Sequence, residues 1–154
     1  VTINIGSGLG IDEHSGEMII VNRSRVEAEL AHSPDHCNRA VAALVDGDLD
    51  VAATELDAAP QNFRRDVLRG ELARCAGHPE QAIVIFTDLF QIHTPKGLRR
   101  AMLIQHLAKA EYAAGDRHMA LAHLEEALEL RLRDQAPAEQ IESSKLMLKI
   151  ASRK

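Results

Sequence analysis

Eight histidines, two cysteines and the run Gly6-Ser7-Gly8-Leu9-Gly10 are the side chains of this sequence with the chemistry for metal binding, nucleophilic attack or phosphate contact. A nucleophile elbow needs glycine two before and two after its serine, and Ile5 and Leu9 stand there instead. A phosphate-binding loop needs a lysine and an immediate helix, and this run offers neither. His118 and His123 lie five residues apart, about 500° around a helix, so they do not share a face. His32 and His36 have better spacing but are separated by Ser33-Pro34. Asp12-Glu13-His14 has the composition of a loop cation site and equally that of an ordinary acidic turn. Cys37 and Cys75 belong to no C-x-x-C or zinc spacing and read as reduced core or groove residues. No acid–base pair, nucleophile or metal set emerges, so the expectation is a non-enzyme without a cofactor or metal.

Composition narrows the class further. A formal charge of −5 lacks the basic excess that phosphate neutralisation requires, which disfavours nucleic acid. Aromatics at 3% and no tryptophan disfavour a base-stacking surface. The longest apolar runs, Met18 to Val21 and Ala82 to Phe86, fall far short of the roughly 20 residues of a membrane span. No signal peptide is visible at Val1 to Ile5, and the expected location is cytoplasmic.

Two regions differ in character. Residues 1–33 form an N-terminal arm in which two β-branched runs, Val1 to Ile5 and Glu17 to Val21, flank a glycine-containing polar connection. This predicts a short irregular or β-hairpin segment: a flexible arm, a remnant of an upstream domain, or a strand-pairing element. A short helix follows, with Ser24 and Glu27 at capping-box spacing. Residues 34–154 carry helical punctuation throughout. Ser33-Pro34, Asp48, Asn62, Pro79, Thr94-Pro95, Asp116 and Pro137 each supply a helix start, and Gly47, Gly77 and Gly115 each supply a stop.

Those three glycines expose an internal repeat, spaced 30 and 38 residues apart. Five residues after them stand Ala52, Ala82 and Ala120; nine after, Leu56, Phe86 and Leu124; twelve after, Ala59, Leu89 and Ala127. Seven before stand Ala40, Gly70 and Ala108. Small residues at matched positions let paired helices approach, and the large apolar residue four beyond the alanine shares its face. A pair with an apolar face left over must stack on a neighbour.

These offsets, clearest in Ala114 to Leu130, resemble the tetratricopeptide-repeat (TPR) family over residues 34–133. The spacings straddle that family's period of about 34 residues, and Phe86 is the one aromatic at its position. The resemblance implies an all-α superhelix of about three helix pairs, closed by a C-terminal cap bearing Lys145, Lys149, Arg153 and Lys154. It further implies a concave groove lined by the first helix of each pair. By offset these are Cys37, Val41 and Leu44, then Arg64, Val67, Glu71 and Arg74, then Met102, Gln105, Lys109 and Tyr112.

The implied function is protein–protein interaction, as an adaptor or scaffold that takes a partner polypeptide in this groove. Arg64 and Arg74 suit a segment with an apolar anchor and nearby carboxylates. Cys37 and Val41 stand where a chaperone-tail clamp needs lysine and asparagine, which disfavours that partner class. One alternative is a peptide- or ligand-sensing domain of a bacterial transcription or signalling regulator. Another is a self-associating protein whose N-terminal strands pair between copies as a homo-oligomer.

Overall fold

A computed structural model describes residues 2–153 of the chain, so Val1 and the Lys154 assigned to the cap lie outside the described residues. It is mostly helical, with a small antiparallel sheet at its start. Strands β1 (Ile3–Gly6), β2 (Leu9–Ile11) and β3 (Met18–Ile20) pair in the order β1-β2-β3, with Ile3 opposite Ile11 and Leu9 opposite Ile20. The expected hairpin thus has a third strand. Part of the supposed connection, Leu9-Gly10-Ile11, is its central member, reached through a two-residue turn at Ser7-Gly8 with positive φ at both. The acidic turn after β2 is tied by Asp12, whose Oδ2 accepts from the Ser15 hydroxyl and amide at 2.8 Å each. That carboxylate is spent on the turn.

The chain then enters α1 (Arg23–Val26), a π-helical turn (Glu27–Ala31), and three antiparallel helix pairs. These are α2 (His36–Asp46) with α3 (Leu49–Ala58), α4 (Phe63–Cys75) with α5 (Pro79–His93), and α6 (Gly97–Ala113) with α7 (Arg117–Arg133). Helix α8 (Ala138–Ser152) packs on α7 and α6. Asp48, Asn62 and Asp116 cap α3, α4 and α7, each accepting a backbone N–H with its side chain. Asp116→Ala should therefore lower unfolding free energy in urea by about 1 kcal/mol, the usual worth of such a cap.

Three other starts differ from the sequence reading. Asn22 caps α1 in place of Ser24, and Asp35 caps α2 in place of Ser33-Pro34. After Thr94-Pro95 the chain stays extended until Lys96 because Thr94 has the left-handed conformation that ends α5.

The repeat positions form the interior. Ala40, Ala108, Ala52, Ala82, Ala120, Leu56, Phe86, Leu124 and Ala127 are all fully buried. Each pair's apolar cluster takes residues from the next first helix: Leu68 of α4 joins the α2–α3 cluster, Leu103 and Leu107 of α6 join the α4–α5 cluster, and Met147 and Ile150 of α8 join that of α6–α7. First helices also touch in series, α2 on α4, α4 on α6, and α6 on α8. Gly70 shows why the second pair departs from its neighbours. A Cβ there would come far inside van der Waals contact distance of Phe86 Cε1, so the pair with an aromatic filler carries glycine while the pairs with leucine carry alanine. Lys145 and Lys149 face solvent on α8, while Ser144, Met147, Ile150 and Ala151 are buried on its other side.

Candidate functional site: a cleft between the sheet and the first helices

The layer formed by α2, α4, α6 and α8 carries the N-terminal sheet on its face. Leu9, Val26, Leu30 and Ala42 form one buried cluster, against which Ile5, Met18, Ile20, Val41 and Val45 pack. At the far end the β2–β3 turn reaches α8, where a Cβ on Gly16 would overlap Met147 Sδ. Arg153 Nη1 donates to the His14 carbonyl at 3.2 Å.

Between these anchorages the sheet is held by charge. Arg74 grips Glu17 in a two-point contact, Nη1 to Oε1 at 2.6 Å and Nη2 to Oε2 at 2.9 Å. The same guanidinium donates Nε at 3.2 Å and Nη2 at 2.8 Å to Glu71. Lys109 Nζ donates to the Gly16 carbonyl at 3.2 Å and lies 3.7 Å from Glu17 Oε2. His106 Nδ1 sits 3.0 Å from Glu71 Oε1. Burial would raise the Glu71 carboxyl, yet the neighbouring His106 and Arg74 outweigh it and hold it well below the usual carboxylate range. Glu17 is lowered likewise, burial being overcome by Arg74 and Lys109. Arg74 is raised against its own burial by the two carboxylates.

A cleft of about 660 Å³ remains between the sheet and the helices, in the size range of small-molecule sites. Ile5, Ile11 and Met18 form its sheet wall, and Phe63, Val67 and Met102 form the helical wall. At one end lies a buried polar set. Arg131, 5% exposed, donates from Nη1 to Gln105 Oε1, to Ser144 Oγ at 2.8 Å and to the Gln140 carbonyl at 2.9 Å. Gln105 Nε2 donates in turn to Ser143 Oγ at 2.8 Å. Arg131 has no carboxylate partner among the described residues, its Nε is buried without any partner, and burial pushes its ionisation down to about 10. It remains charged at neutral pH, so the fold carries the cost of an uncompensated buried cation.

Of the eleven residues placed by offset, Arg64, Val67, Glu71, Met102, Gln105 and Lys109 line this cleft. Arg74 and Val41 meet the sheet instead. Cys37 is buried against α3, where burial pushes its thiol up, and Leu44 packs in the same cluster. Tyr112 is 39% exposed and stands away from the cleft. Cys75, read as a core or groove residue, is exposed at the end of α4. The offsets do not reach Arg131, Gln140 and Ser143, because they put only the first helix of each pair on the groove and treat α8 as a cap. The one available signal was an arginine on α7 following the apolar periodicity of Leu124, Ala127 and Leu128.

The histidines are dispersed. His118 is exposed, His123 Nδ1 contacts Glu111 Oε1 at 2.6 Å, and His36 Nδ1 contacts Glu55 Oε2 at 2.8 Å. Among the described residues no three His, Cys, Asp or Glu side chains converge as a metal cluster, and no helix is long and apolar enough to cross a membrane.

The fold and its cleft define a domain of stacked helix pairs whose first-helix face is covered by a sheet of the same chain. Comparison with protein-family models, with curated proteins and with solved structures returned no match.

Proposed function

We propose that this chain is a TPR-like interaction module, cytoplasmic and without catalytic activity, in which the curved face of the first helices receives a polypeptide. The observation that carries the reading is the seat of Glu17. The sequence reading expected that face to favour an apolar anchor beside a carboxylate, and Met18 beside Glu17 on Arg74 and Lys109 has that chemistry. The sheet is in this view an intramolecular occupant, and a partner segment of like composition uses the adjoining surface around Arg64. Half-exposed Arg64 is a cation on that surface, engaged by Asn38 at 2.7 Å and only distantly by Asp35 at 3.7 Å.

Arg74 is unsuited to a charge-reversal test because it neutralises Glu71. Affinity capture from native lysate should instead compare the wild type with Arg64→Glu and Glu17→Gln. Wild type and Glu17→Gln are expected to retain the same partner, and Arg64→Glu to lose it with helicity unchanged. Equal retention by all three removes the reading. The runner-up, a ligand-sensing domain of a bacterial regulator, is favoured by one specific feature: a cleft closed over by its own sheet with an unpaired buried arginine at its end.

A further inference from the structure

Arg131 is buried without a counter-ion among the described residues. A guanidinium taken from water requires either a counter-ion or a full set of acceptors. Nη1 has three neutral acceptors; Nε is buried without a partner, and Nη2 makes no hydrogen bond within the described residues. The acceptors it does have, Gln105, Ser144 and the Gln140 carbonyl, hold the fork in one orientation at the end of the cleft.

The charges facing the cleft set the ligand's own charge. Glu71 is matched by Arg74 and also faces His106, Lys109 is matched by Glu17, and Arg64 lies near Asp35. Arg99 lies 4.8 Å above the Phe63 ring, and neither it nor Glu139 has an ion-pair partner among the described residues. Among the arginine, lysine and carboxylate side chains, counting Arg131 and Arg99 against Glu139 leaves one positive charge uncompensated, which a monoanion neutralises and a phosphate dianion overshoots. Away from this end the walls are Phe63, Val67 and Met102 facing Ile5, Ile11 and Met18, a lining suited to a chain of methylene groups.

We propose that this cleft binds a small amphipathic monocarboxylate, its carboxylate seated on Arg131 at Nη2, the guanidinium nitrogen that is neither closed off nor hydrogen-bonded, and its apolar body between the sheet and helices α4 and α6. The match is a charge-assisted hydrogen bond from a guanidinium without a counter-ion to a carboxylate oxygen. The proposal stands on the cleft itself and is independent of any protein partner.

The test is calorimetric titration of the full chain with decanoate, below micelle formation, alongside decanol and decyl phosphate. Decanoate is expected to bind one to one and to shift the Arg131 Nε–H resonance, and decanol and decyl phosphate to bind at least tenfold more weakly. Arg131→Met should lose at least tenfold in decanoate affinity, since the guanidinium that would hold the carboxylate has been removed. Met102→Trp, which fills the cleft and leaves the Arg131 contacts intact, should weaken decanoate to the same degree and decides the matter if Arg131→Met does not fold. Absence of saturable decanoate binding overturns the proposal, as does equal binding of decanol. Unchanged affinity in Met102→Trp, or in a folded Arg131→Met, overturns it too. Tighter binding of decyl phosphate would assign the arginine to a dianion instead.

Discussion

Gly70→Ala is expected to lower the unfolding free energy by about 1–3 kcal/mol, the range for one methyl group forced into a packed core. Adding Phe86→Leu to that chain is expected to recover most of the loss. The added Cβ would overlap the edge of the Phe86 ring, which is fully buried and stacked on His106 with centroids 5.7 Å apart, so it has no room to retreat. The double variant recreates a combination the molecule already uses, Ala40 with Leu56 and Ala108 with Leu124, all fully buried. Phe86→Leu alone leaves a void beside Gly70 and should cost more in the wild-type background than in the Gly70→Ala background. Urea denaturation of the four chains gives the coupling, and additive costs would mean that the two positions do not face each other.

Arg74→Met is expected to cost more, about 3–5 kcal/mol, because it leaves the buried Glu71 with His106 alone and releases Glu17 as well. The effect should depend on pH in a defined direction. Glu71 and Glu17 are both held below their ordinary values in the folded chain, so their contribution is fully present above the unfolded carboxylate value, about 4.3. It is lost as pH falls through the lower folded values. Wild type and variant should therefore differ most near neutrality, and the gap should narrow as acid protonates the carboxylates in both. Thermal unfolding across pH 3–8 reads this, and a gap that stays constant to pH 3 would contradict the assignment.

The helical part of the molecule was legible because its signals are local. Asp48, Asn62 and Asp116 cap where a short side-chain acceptor precedes an apolar period, and Gly47, Gly77 and Gly115 end helices with positive φ. The misplaced starts of α2 and α6 share one cause: a proline near each was given the first helical turn, whereas Asp35 and Lys96 lie beyond Pro34 and Pro95. The third strand was hidden because Leu9-Gly10-Ile11 has no strand propensity at its centre. Its pairing depends on β1 and β3 lying on either side.

The cleft was half legible. Offsets found the residues of α4 and α6 that face it, since a repeat fixes which side of each first helix looks inward. They could not place the sheet over that side, because a contact such as Glu17 with Arg74 spans 57 positions and leaves no periodic trace. Nor could they find Arg131, whose burial follows from the neutral acceptors on α6 and α8 that surround it.

The central claim is that the first-helix face holds the N-terminal sheet, leaving the cleft beneath it. Nuclear Overhauser contacts in the full chain test it most directly. Cross-peaks are predicted from the Gly16 α-protons to the Met147 methyl and from Leu9 to Val26 and Ala42. A spectrum in which Leu9 and Gly16 show contacts only within the sheet, with none to α1, α2 or α8, would contradict the account.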